Sequence, residues 1–344
     1  MNGKDRIKSA LRREPVDRPP VWFMRQAGRH LPEYRAISKE TTFMERCMDL
    51  DLCLEVTTQP LNRYPQIDAA IVFSDILTPL PGLGYEVEFG GGIRIDAFEW
   101  DDLDNWGSFN SRAHAPWAAN ALRALEDHVE REVARLGFVG CPWTVAMYLI
   151  AGGTGDKDFH QTRALIHSNP KSAKELLDKL AVVVGDLLAD QANHGKADAV
   201  QMFDTWAGML SNQDYRDIVL PATKKAIDVF RKKCDKFVPL IHYARGSGHL
   251  HNEMRTLDIQ AMSLDWRDNL AENRRLYGEK FCFQGNLDPA RMHGSVEAAK
   301  SAARRVLAEA GDSPGHIFNL GHGFSPGAKI DCVEAVLRVV EGKR

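Results

Sequence analysis

Ala199-Val200-Gln201-Met202-Phe203-Asp204-Thr205 is an apolar run of strand length that ends on a carboxylate and a hydroxyl. A helical pattern precedes it at residues 172–193, and another follows at 214–233. A buried strand between two helices is the signature of parallel βαβ units. Outward from this stretch the same unit recurs. Short apolar runs fall at residues 21–24, 69–73, 137–140, 199–203, 238–241, 261–264, 281–283 and 317–320. The clearest helical stretches are 117–136, 172–193, 214–233, 296–310 and 329–341. Eight strands alternating with helices predict an α/β fold, a closed (β/α)8 TIM-type barrel. An open doubly wound sheet is the competing arrangement.

One segment breaks the rhythm. Residues 85–89 and 93–98 alternate in polarity around Gly90-Gly91-Gly92. This predicts a β-hairpin inserted after the second strand. No linker or low-complexity stretch divides the 344 residues, so a single domain over 1–344 is expected. The composition, 44% hydrophobic and 26% charged, is that of a folded globular chain. A net charge of −3 argues against a nucleic-acid surface. The uncharged run 136–155 contains Pro142 and five glycines, and reads as strand, loop and buried helix rather than a membrane span. Six scattered cysteines and a charged N-terminus without an apolar signal core point to a reducing cytoplasm.

A barrel of this kind works at the carboxyl ends of its strands. After the first run come Arg25 and Arg29, within Pro20-Val21-Trp22-Phe23-Met24-Arg25-Gln26-Ala27-Gly28-Arg29-His30. Two fixed guanidinium groups around a glycine match carboxylates or phosphates and imply an anionic ligand; pairing with Glu33 or with a helix C-terminus is the structural alternative. Asp75 follows the second run, and Pro142, Trp143 and Thr144 the third. Asp75 either caps a helix or accepts N–H donors in a cleft; Pro79 and Pro81 argue against a helix there. Asp204 and Thr205, His242 and Arg245, Asp265, Asn286 and Asp288, and finally His322 end the remaining runs. His322 lies between two glycines, which favours a site over a core position. Tyr148 falls on the buried helical stretch 145–151, where packing is the plain alternative. His242, His249, His251 and Glu253 match no metal-binding spacing, and no metal is expected.

Taken together, these segments resemble the uroporphyrinogen decarboxylase family. Trp22 to Arg29 matches its N-terminal signature, and Gly137-Phe138-Val139-Gly140-Cys141-Pro142-Trp143-Thr144-Val145-Ala146-Met147-Tyr148 its second. Phe73-Ser74-Asp75-Ile76-Leu77, Phe203-Asp204-Thr205-Trp206-Ala207-Gly208 and Asn319-Leu320-Gly321-His322-Gly323 follow in the family's order. The resemblance implies a cofactor-free decarboxylase, a cytoplasmic homodimer, that removes carbon dioxide from the four acetate arms of uroporphyrinogen III. It implies substrate contacts at Arg25, Gln26, Ala27, Gly28, Arg29, Asp75, Tyr148, Thr205 and His322. Of these, Asp75, Arg25, Arg29, Tyr148 and His322 are the expected catalytic set. Asp75 would accept the pyrrole N–H groups and offset a protonated ring. The proton donor stays open between a water held by Tyr148, His322, an arginine and a substrate carboxyl.

The chain also departs from relatives. Thr205 stands where some have serine, and Gly323-Phe324-Ser325-Pro326-Gly327-Ala328 lacks the Thr-Pro and acidic pair of many. Corrinoid-linked methyltransferases share the barrel and bind zinc through His-x-Cys and a later cysteine. Here His242-Tyr243-Ala244 lacks the thiol. The alternatives are such a methyltransferase or a non-catalytic tetrapyrrole carrier.

Overall fold

The computed structural model describes residues 1–342. Its centre is a curled, all-parallel sheet of seven strands in the order β1-β4-β5-β6-β7-β8-β9, a barrel-like α/β architecture. The strands are β1 (Ala69–Ile71), β4 (Ala134–Gly140), β5 (Ala199–Asp204), β6 (Leu240–Ala244), β7 (Ala261–Ser263), β8 (Cys282–Gln284) and β9 (His316–Ile317). Their burial on both faces explains why they read as continuous apolar runs rather than alternating ones. The antiparallel pair β2 (Val87–Phe89) and β3 (Ile93–Ile95) lies between β1 and β4 in sequence. It is stitched to the end of the helix Pro142–Ile150, with the Thr154 N–H donating to Ile93 O at 2.9 Å. Gly153 makes that approach possible, since a Cβ there would lie 2.0 Å from Ile93 O and its φ is +126°.

The first predicted strand, 21–24, is reduced to one bridge, Val21 to Phe318. On its other side Val21 O accepts the Asp68 N–H at 2.7 Å, and the Val21 N–H donates to Asp68 Oδ2 at 2.8 Å. Asp68 is 2% exposed, yet it also accepts Arg18 Nη1 at 2.6 Å, Arg18 Nη2 at 3.0 Å and Arg6 Nη1 at 3.0 Å. One carboxylate therefore clasps the segment after Arg18 against the start of β1. Removing it leaves Arg18 without a counter-ion and the Val21 N–H without an acceptor inside the protein, while Arg6 keeps Asp17. Asp68→Ala is expected to cost about 3–5 kcal/mol. Urea unfolding measures it, and a loss under about 1 kcal/mol would reduce the clasp to an ordinary surface pair.

Other boundaries moved for tertiary reasons. The predicted helix 117–136 ends at His128, and its last residues become β4. Arg131 turns the chain there by donating to the carbonyls of Leu61, Tyr64, Pro65 and Ile67. Ala134 then pairs with Ala69, and pairing outweighs helix propensity. The fifth run begins later than predicted, at Leu240, because Pro239 has no N–H to offer the sheet and serves only as acceptor to Val200. His242 is consequently inside β6, not beyond its end. The prolines do not prevent a helix after Asp75: Pro79–Gly82 forms one, with Pro79 in the first turn, where its missing N–H costs nothing.

Inside the curl, Gln284 Nε2 donates to Gln201 Oε1 at 3.0 Å and to Ser263 Oγ at 2.9 Å, and Trp22 Nε1 donates to Gln284 Oε1 at 3.0 Å. These contacts fix which side chains point inward. By strand alternation Phe203 shares the inner face with Gln201, and Tyr243 is the partner of Phe203. Met202, Asp204 and His242 face the helices instead.

Candidate active site

The loop after Val21 is built to display one cation. Gln26 is buried, its Nε2 donating to Ala69 O at 3.0 Å and its Oε1 accepting the Phe23 N–H at 3.1 Å. Met24 is held by Asn319 Oδ1 at 3.0 Å and by the Phe324 N–H at 3.1 Å. Between these anchors Arg25 adopts φ +59°, a left-handed conformation that a non-glycine residue holds at a cost of about 1 kcal/mol or more. Its side chain runs along Gly323, where a Cβ would come within 2.5 Å of Arg25 Cδ. Among the described residues no side-chain hydrogen bond or ion pair engages Arg25, Arg29 or Arg245. The structural alternative for the arginine pair fails on this point, because Glu33 is taken by Arg63 at 2.8 and 2.9 Å.

Arg25 acts electrostatically on Asp75, Tyr148 and His322, and Asp75 acts on Tyr148, which groups these side chains around Arg25. Asp75 Oδ1 accepts the Leu77 N–H at 2.8 Å, which leaves Oδ2 available. Burial pushes its carboxyl up to about 6, against the pull of the Leu77 N–H, Arg25 and the Ile76 N–H. Tyr148 is packed edge-on against Phe159 and Trp206, and burial raises its phenol above the ordinary value, with Asp75 adding to the shift. Thr205 follows β5, half-buried at the rim. Ala27, Gly28 and Arg29 continue the loop outward; Arg29 is exposed, and no described contact brings its guanidinium to Asp75 or His322.

His322 has a definable tautomer. Tyr243 Oη lies 2.9 Å from Gly321 O and 3.0 Å from His322 Nδ1. A carbonyl only accepts, so both contacts are satisfied when Tyr243 donates to Gly321 and Nδ1–H of His322 donates to Tyr243. Nε2 is then the unprotonated acceptor. Burial, with Arg25 and Arg245, lowers the imidazole to about 4, so the ring is neutral near pH 7.

Two residues of the mouth went unpredicted as site members. Arg245 follows β6, and together with Arg25 it depresses His322. Arg267 stacks over Trp266 at 4.5 Å and pairs with the buried Asp265 at 2.7 Å. Arg245 sits at a strand end and was visible there; Arg267 carried no such signal. The suspected cluster of histidines disperses: His249 bonds Leu210 O, His251 bonds Asn273, and Glu253 pairs with Arg216. His242 instead meets Cys141 and Asp204, from two other strands.

An acid limb follows from Asp75. Its folded value of about 6 lies above the ordinary value, so the carboxylate is lost as pH falls through 6. If the carboxylate is needed, kcat/KM declines below about pH 6, whereas the burial penalty on folding is relieved over the same range. His322, at about 4, cannot give this limb. Rate profiles of the wild type and Asp75→Asn check it: a limb that persists near 6 in the variant belongs to another group.

Comparison with known proteins agrees with this geometry. The family model described as uroporphyrinogen decarboxylase (URO-D) matches residues 2–342. A uroporphyrinogen decarboxylase of Alcanivorax borkumensis is 42% identical over 94% of this chain and 92% of its own length. That of Pseudomonas aeruginosa is 40% identical with the same coverage, and that of Saccharophagus degradans is 38% identical over 98% of this chain and 96% of its own. Among solved structures, a methyltransferase from Methanosarcina mazei superposes with a TM-score of 0.82 over 99% of both chains, at 15% identity, a likeness of fold alone. The chain belongs to the uroporphyrinogen decarboxylase family.

Proposed function

We propose that this chain removes the four acetate carboxyls of uroporphyrinogen III as carbon dioxide, giving coproporphyrinogen III without a cofactor. The carrying observation is the charge pattern at the mouth. Arg25 and Arg245 have no ion-pair partner among the described residues; Arg25 acts on the carboxylate of Asp75, and both act on Tyr148 and His322. A ligand with carboxylates at its rim and N–H donors at its centre complements that pattern, and uroporphyrinogen is such a ligand.

In each turnover a pyrrole α-carbon next to the acetate arm takes a proton. The cationic ring accepts the electron pair of the C–CO2 bond, and carbon dioxide leaves. The exocyclic methylene then takes a proton and becomes methyl, while the ring proton departs. The net change replaces carboxylate by hydrogen and consumes one proton. Asp75 stabilises the cation across a short, desolvated distance. Arg25, with Arg29 at the outer edge of the loop, holds substrate carboxylates, and Arg245 adds a third cation. Tyr148 and Thr205 line the walls. A neutral His322 with a bare Nε2 is a hydrogen-bond acceptor, so it binds an N–H or a protonated carboxyl rather than supplying the proton. That leaves a water at Tyr148, an arginine or a substrate carboxyl. Gln26 acts through the loop it braces, and Ala27 and Gly28 give the loop its close approach.

The finer architecture belongs to the same reading. We take the curled sheet as a closed (β/α)8 barrel whose first strand is the segment at Val21, with the β2–β3 hairpin an insertion. The bonds from Val21 to both Phe318 and Asp68 support closure. The family resemblance supports one domain over 1–344 acting as a cytoplasmic homodimer, which light scattering of the purified protein checks. No described helix is long and apolar enough to cross a membrane.

The test is anaerobic incubation with uroporphyrinogen III, followed by oxidation and mass analysis. Stepwise loss of four carbon dioxides is expected. Tight binding without mass loss would make the chain a carrier. Thiol methylation without decarboxylation would move it to the methyltransferases.

A further inference from the structure

Behind the wall of the sheet, three neighbouring strands bring unlike ligand atoms together. Cys141 follows β4, Asp204 ends β5 and His242 lies in β6. Cys141 Sγ, a carboxylate oxygen of Asp204 and a ring nitrogen of His242 all lie within 4.8 Å of one another. Cys141 and Asp204 are 0% exposed and His242 is 3%. Asp204 Oδ1 accepts the Thr144 hydroxyl at 2.8 Å, but Asp204 Oδ2 and His242 Nε2 have no hydrogen-bond partner among the described residues. Nor does the hydroxyl of Tyr215, which is 0% exposed and feels the charge of both Asp204 and Cys141. Tyr215 opens a π-helical turn, Tyr215–Val219, in the helical segment that covers this wall. Such turns are rare and occur mostly where a side chain must be re-aimed for function.

Buried polar atoms are almost always paired, and the orphaned atoms of Asp204 and His242 belong to residues that meet the Cys141 thiol, so one shared partner would satisfy both. The partner must suit a thiol, a carboxylate and an imidazole together. A cation would also give Asp204 the counter-charge it lacks, since no cationic side chain among the described residues pairs with it. We propose that Cys141, Asp204 and His242 form a structural site for a borderline-soft divalent cation, zinc being the best fit, with the Tyr215 hydroxyl at the fourth corner.

The charges close. A thiolate and a carboxylate neutralise a divalent ion, which leaves no net charge in a fully buried place. Binding releases the thiol proton, so affinity rises with pH. Tetrahedral zinc holds such ligand atoms about 3.3–3.6 Å apart, so the group contracts by roughly 1 Å on binding. The ion would tie β4, β5 and β6 together behind Phe138, Phe203 and Tyr243. It would brace the rim that carries Thr205 and Arg245 without touching the reacting atoms. This inference is independent of the reaction proposed above. It also differs from a His-x-Cys site, because Ala244 supplies no ligand and Cys141 comes from another strand.

The test uses the full-length protein produced in cobalt-supplemented minimal medium and dialysed against a chelator. About one equivalent of metal is expected to remain, with the near-ultraviolet thiolate-to-cobalt charge-transfer band of a tetrahedral site. Cys141→Ser, with folding checked by circular dichroism, should lose that band, and His242→Gln should lose most of the metal. Wild-type protein that retains no metal, or that shows no thiolate band, overturns the proposal without reference to any variant. Metal and spectrum unchanged in folded Cys141→Ser would overturn it equally, by assigning the ion to another thiol or to the surface.

Discussion

Replacing Asp75 by asparagine is expected to lower kcat by about 10²–10³-fold, with a much smaller change in KM. The substitution keeps the shape, and the amide oxygen can still accept the Leu77 N–H that holds Oδ1 at 2.8 Å. What disappears is the charge, and the charge is needed most when the pyrrole is protonated. The ground-state substrate presents neutral N–H groups, to which an amide oxygen still binds. The loss therefore falls on the transition state. Burial enlarges it, because the same desolvation that pushes Asp75 up to about 6 also strips water from the interaction. Single-turnover decarboxylation measured by product mass decides the matter. A kcat within about twofold of wild type would remove Asp75 from the electrostatic role.

The second large effect is on binding. Arg25→Ala is expected to raise KM by about 10- to 150-fold, the equivalent of about 1.5–3 kcal/mol for charge-assisted bonds to a carboxylate. Thermal stability should scarcely change, because no described carboxylate in the protein depends on Arg25 as an ion-pair partner. The left-handed backbone at φ +59° makes the same point. A residue kept in that conformation without a described ion-pair partner supports the proposed role in ligand binding. Arg29→Ala should act in the same direction but more weakly, because Arg25, and not Arg29, acts on Asp75, Tyr148 and His322. If Arg25→Ala instead unfolds the protein with KM unchanged, the guanidinium is structural after all.

Much of this was readable in the chain. Seven of the eight apolar runs overlap strands and the first keeps a single bridge, because strands buried on both faces leave an unbroken apolar signature. Their ends were less readable. Pro239 shifted β6 by withdrawing a donor, and Arg131 ended a helix by capturing carbonyls far away in sequence; neither effect is local. The motif residues Arg25, Asp75, Tyr148 and His322 were visible because they follow apolar runs or sit in signatures. Arg267 and the Tyr243–His322 bond were not, since they depend on register between neighbouring strands. The Cys141, Asp204 and His242 group was invisible for the same reason: its members lie on three strands, and spacing along one segment cannot reveal it.

The clasp at Asp68 and the bridge from Val21 to Phe318 also govern how the chain comes to life on the ribosome. The segment made among the first must wait for one made near the last. Until Phe318, Asn319 and Phe324 have emerged, the loop bearing Arg25 lacks its anchors, although β1 and β4 to β8 have already been synthesised. Closing so long a loop is slow and entropically costly. A nascent chain at that stage holds most of its strands but not yet the anchored Arg25 loop, so the cationic part of the mouth is completed last.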